Sequence, residues 1–137
     1  MNRPEPLAAV GELMVYGAGL RDRIDDAERN HRRELDGLIG EIAEIADGLA
    51  RLRAVATPAA AAQLGTVLQQ VEELLAGHGV SVFRPAVGDQ VDGLACDVIA
   101  TVTDPNLLAG AITRVLQAGY RQGDRVVRRA GVEVVKE

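Results

Sequence analysis

The stretch Gly119-Tyr120-Arg121-Gln122-Gly123-Asp124-Arg125-Val126-Val127-Arg128-Arg129-Ala130-Gly131-Val132-Glu133-Val134 decides how the C-terminal half of this chain is read. A Gly-Tyr corner, a Gly-Asp turn and two Val-rich runs of period two give the order turn, strand, turn, strand. Alternation of Val126 and Arg128 with Val127 and Arg129, followed by Val132 and Val134, is the pattern of a half-buried antiparallel hairpin. Nothing in the stretch does chemistry, so it points to binding.

Working back toward the N-terminus, residues 107–118 are ambiguous. Leu107-Leu108-Ala109-Gly110-Ala111 suits a helix and Ile112-Thr113-Arg114-Val115-Leu116 a strand. A strand over 112–117 leads directly into the Gly-Tyr corner and is the reading adopted. Asp104-Pro105-Asn106 is a turn, Asp97–Thr103 a strand, residues 86–96 a loop, and Val80–Phe83 a short strand closed by Pro85.

Before Gly79 the period changes to that of a helix. Gly77-His78-Gly79 stops a helix whose face carries Leu64, Val67, Leu68, Val71, Leu74 and Leu75. One of the two glycines is expected to take the left-handed cap. Thr57-Pro58 starts that helix, with Thr as N-cap and Pro at the first helical position. Upstream, Leu35, Leu38, Ile42, Ile45, Leu49, Leu52 and Ala56 alternate spacings of three and four, a coiled-coil seam predicted to pair two copies of the chain. Ile39 and Ala46 widen the stripe, so the same helix can also pack on a neighbour. Residues 21–36 are mostly charged, and Asp25/Arg29, Glu28/Arg32 and Arg32/Asp36 are spaced to support an exposed helix. Residues 1–6, with two prolines, are expected to fray. The fold class is therefore α+β. A helical dimerisation stalk covers residues 1–78, with a long helix about 7–56 and a second at 58–77, and a compact β domain covers 79–137.

Composition narrows the function. One Phe, two Tyr and no Trp in 137 residues favour helix seams and thin sheets over a thick core. A net charge of −5 with interspersed signs argues against a nucleic-acid partner. No apolar run is long enough to span a membrane, and the N-terminus lacks the pattern of a secretory signal. A single cysteine, Cys96, fits a reducing cytoplasm. His31 and His78 stand apart without grouped ligands, and Asp89, Asp92 and Asp97 have the spacing of turn formers rather than of a calcium loop. Cys96 reads as a small buried thiol, Tyr120 as a corner anchor, and Gly17-Ala18-Gly19 lacks the residues of a phosphate loop. No acid, base and nucleophile set can be assembled, so neither an enzyme nor a cofactor nor a metal is expected.

The closing stretch resembles that of the GrpE family, the nucleotide exchange factors of DnaK chaperones. That family ends in Gly-Tyr, three variable positions, Asp-Arg, two apolar residues, Arg, Pro, Ala and an alternating Val strand. Gly79-Val80-Ser81-Val82, Val91-Asp92-Gly93, Val98–Val102 and Asp47-Gly48-Leu49-Ala50-Arg51 resemble further family segments. Gly93 stands where the family has Pro, Cys96 where it has His, Arg129 where it has Pro, and Gly131 where Met is usual, which marks a divergent member. The resemblance implies a parallel homodimer that binds the nucleotide-binding domain of a DnaK-type ATPase and hastens ADP release. The partner contacts it implies are Arg51, Val91, Leu116 and Val134. Dimer contacts fall to Leu35, Leu38, Ile42, Ile45, Leu49 and Leu52. The rival reading is an adaptor that keeps the dimer scaffold without exchange.

Overall fold

A computed structural model describes the backbone from Pro6 and the side chains from Gly17, in both cases to Glu137. The fraying expected of residues 1–6 falls, Pro6 apart, outside the described residues. Among the described residues two helices, α1 (Pro6–Val55) and α2 (Pro58–Gly77), precede six strands: β1 (Val80–Phe83), β2 (Cys96–Val102), β3 (Ile112–Gln117), β4 (Gly119–Gln122), β5 (Arg125–Arg128) and β6 (Ala130–Val135). The class is α+β. The chain divides into two compact units, one ending at Leu38 and the other Ile39–Glu137.

The described residues of the first unit form the N-terminal part of α1. Its described side chains are almost all exposed, as its mixed charges require, and Arg29 pairs with Asp26 one turn earlier. The second unit holds the rest of α1, α2 and every strand. The break between its helices has a local cause: Thr57 is extended, its side-chain oxygen accepts from the Ala60 N–H at 3.4 Å, and Pro58 opens α2. At the other end Gly79 turns the chain at φ +77°, a left-handed conformation that favours glycine.

The strands form two three-stranded sheets, β1-β4-β5 and β2-β6-β3. The first is antiparallel, with Phe83 opposite Gly119 and Gln122 opposite Arg125. In the second, β6 runs parallel to β2 and antiparallel to β3. This corrects the expected hairpin of 126–129 with 132–134. The hairpin is instead β4–β5, turning at Gly123 (φ +60°), while Arg129 carries the chain across to the other sheet. Period two fixes which residues share a face, and the partner strand is chosen by long-range packing.

Two cores hold the unit together. One gathers Ala95, Cys96, Ile112, Ala130, Val132 and Val134 beneath the mixed sheet. The other joins Ile39 and Ala43 of α1 and Leu75 of α2 to Val80 and Tyr120 of the first sheet. Ala43 and Ala46 are both buried on α1, Ala43 within this second core.

Candidate functional site

A groove of about 440 Å³ lies between α1, α2 and the C-terminal end of β3. Ala46, Ala50 and Ala54 of α1 and Leu68 and Val71 of α2 line it, with Ile99, Val115 and Leu116 on the sheet side. Spacing of four along α1 puts the three alanines in one row, which leaves the space that larger residues would fill. Asp47, Arg51, Glu72 and Arg84 bring charge to it.

Most of that charge is matched. Asp47 receives a two-pronged contact from Arg128, Nη1 to Oδ2 at 2.7 Å and Nη2 to Oδ1 at 3.1 Å. Such a fork suits a planar guanidinium. Arg128 Nη2 also donates to the Ala118 carbonyl at 2.7 Å, and its guanidinium lies 4.9 Å from the Tyr120 ring centroid. Gln117 adds a longer bond to Asp47 Oδ2 at 3.4 Å. Arg128 and Asp47 side chains are only 17% and 21% exposed, so this clasp fixes α1 to the end of β3 and to β5 in partly dehydrated surroundings. Burial pushes the Tyr120 hydroxyl above its ordinary range, opposed by the charge of Arg128. Arg84 pairs with Glu72 at 2.7 Å. Arg51 is different: exposed on the groove, it has no hydrogen-bond or ion-pair partner among the described residues.

Of the four contact candidates, the groove brings together Arg51 and Leu116, the latter 42% exposed. Val91 is half-buried against the first core, and its N–H donates to the Gly110 carbonyl at 3.0 Å. Val134 is 5% exposed on the central strand, packed in the first core together with Val132. Along the seam, Leu38, Ile45 and Leu52 are exposed; Leu35, Ile42 and Leu49 are half-buried, Ile42 against the second core.

Sequence reasoning missed the role of Asp47 and Arg128, which lie far apart in the chain and meet only in the folded unit. Arg128 read as one polar position in an alternating strand. Ile99 was also missed, because nothing in a strand pattern distinguishes a residue over a groove from one over solvent. Cys96 is a buried free thiol raised above its ordinary pKa chiefly by burial. Among the described residues no group of three or more His, Cys, Asp or Glu could hold a metal ion, and no helix is long and apolar enough to cross a membrane.

A family model described as GrpE matches residues 20–136. The chain is 37% identical over 113 residues to Protein GrpE of Nitrobacter winogradskyi, covering 74% of this chain and 57% of that protein. Protein GrpE of Bradyrhizobium diazoefficiens is 35% identical over 113 residues, with 74% and 56% covered. Protein GrpE of Rhizobium johnstonii is 28% identical over 157 residues, with 98% and 74% covered. The chain thus spans less than three-fifths of the first two relatives' length.

Proposed function

Because this chain belongs to the GrpE family, we propose that it is a cytoplasmic co-chaperone: a homodimer that binds the nucleotide-binding domain of a DnaK-type ATPase and promotes ADP release. The observation that carries the reading is the groove in which Arg51 stands, without a hydrogen-bond or ion-pair partner among the described residues, with exposed Leu116 on the same groove and the neighbouring charges matched. A free guanidinium next to an apolar wall suits a protein surface that offers a carboxylate beside an aliphatic or aromatic side chain. The seam residues Leu38, Ile45 and Leu52 lie on one helical stripe of spacing seven and are exposed, which suits pairing with a second copy through that stripe.

No catalytic group is needed for exchange. A surface that binds the open nucleotide cleft more tightly than the closed one shifts the population toward opening. Each 1.4 kcal/mol of differential affinity moves that equilibrium about tenfold. The adaptor reading draws on Gly93, Cys96 and Gly131, which depart from the family pattern. Titrating the nucleotide-binding domain with and without ADP separates the two. Exchange requires tighter binding to the nucleotide-free domain, whereas equal affinities, or no binding, would refute exchange and leave the adaptor.

A further inference from the structure

Gly131 sits on β6, the middle strand of the mixed sheet, between Ala130 and Val132 and so on the face opposite to theirs. A Cβ built there would lie 2.8 Å from Ile99 Cδ1 and 3.0 Å from Gln117 Cβ, closer than ordinary contact in both cases. Ile99 comes from β2 and Gln117 from β3, so side chains of the two flanking strands reach in over a bare central strand. Both line the groove, and Gly131 does not. We propose that Gly131 is a positioning residue: by carrying no side chain it sets where Ile99 and Gln117 stand, and so the size of partner side chain the groove accepts beside Leu116. This rests on the reading of the groove as the partner surface.

The two obstacles to a side chain at 131 differ in stiffness. Ile99 Cδ1 is the tip of a flexible side chain that is 54% exposed and can swing toward the groove. Gln117 Cβ is tied directly to the backbone of β3 and has little freedom. An added methyl therefore redirects Ile99 before it disturbs the sheet. The wall of the groove moves while the core beneath, Val132 and Ile112, keeps its packing. A larger side chain also presses on Gln117, whose amide donates to Asp47, and reaches the clasp.

The test uses Gly131→Ala and Gly131→Met in the full chain, with methyl NMR of the free protein and titration against a nucleotide-free DnaK-type nucleotide-binding domain. In the free protein the Ile99 and Leu116 methyl signals are expected to shift while those of Ile39 and Leu75, in the other core, stay in place. Affinity for the domain is expected to fall about threefold for Gly131→Ala and at least tenfold for Gly131→Met. Adding Ile99→Ala to Gly131→Ala should recover most of the loss. Unmoved Ile99 and Leu116 methyl signals in Gly131→Ala would overturn the proposal, as would shifted signals with unchanged affinity in a protein whose wild type binds. Failure of the wild type to bind the domain would defeat the partner reading instead, and the methyl shifts would still decide whether Gly131 shapes the groove.

Discussion

Replacing Asp47 with Ala removes the acceptor of a two-pronged ion pair and leaves the Arg128 guanidinium, 17% exposed, without a carboxylate. Breaking a fully buried pair by deleting one partner costs about 3–5 kcal/mol. Here both side chains keep some contact with water, Arg128 retains the Ala118 carbonyl and the Tyr120 face, and the expected loss is roughly 2–3 kcal/mol. Arg128 Nε is buried without a partner, so the two Nη groups carry all of its hydrogen bonding and little is available to replace the lost carboxylate. Asp47→Asn keeps one acceptor oxygen but no charge, and its expected cost is about half as large. Urea unfolding followed by circular dichroism, at one protomer concentration throughout because dimerisation would add to stability, measures these values. A double-mutant cycle with Arg128→Met isolates the pair, with an expected coupling of about 1–2 kcal/mol. A loss under about 0.5 kcal/mol for Asp47→Ala, or strict additivity in the cycle, would refute the clasp as a link between helix and sheet.

Other substitutions and conditions test separate parts of the fold. Gly119→Ala places a methyl group into the Phe83 ring and is expected to cost about 2–3 kcal/mol by chemical denaturation, with Phe83→Leu in the same chain recovering part of it. Ile45→Asp together with Leu52→Asp charges the exposed seam and should give monomers in light scattering with helical content from α2 onward retained. Tyr120 and Cys96 both have raised pKa values in the folded protein, so the unfolded chain releases those protons first. Their contribution is intact below the unfolded-state values, 9.0 for Cys96 and 10.0 for Tyr120, and stability should decline as pH rises past them. For the same reason a disulfide reagent at neutral pH should modify Cys96 slowly in the folded protein and rapidly in denaturant, as followed by absorbance.

Local chemistry made much of this fold legible. Thr57-Pro58 and Gly79 mark helix limits through capping that depends on a few adjacent residues, and both act as the sequence implies. The ambiguous run at 112–117 is a strand, as its lead into the Gly-Tyr corner suggests. Strand partners were a different matter. β5 and β6 are neighbours in sequence and alike in composition, yet they enter separate sheets, because the parallel register of β2 and β6 is set by packing beneath the sheet. The groove shows the same division. Arg51 and Leu116 could be named from a resemblance, but the Asp47–Arg128 clasp and the approach of Ile99 and Gln117 to Gly131 exist only once distant segments are brought together.

The most direct measurement is the rate at which a DnaK-type ATPase preloaded with fluorescent ADP loses its label when mixed with this protein. Release is expected to accelerate with protein concentration and then saturate, with Arg51→Ala and Leu116→Asp each shifting half-saturation upward at least tenfold. A release rate that stays flat up to micromolar protein, or one equally fast with both variants, would contradict it.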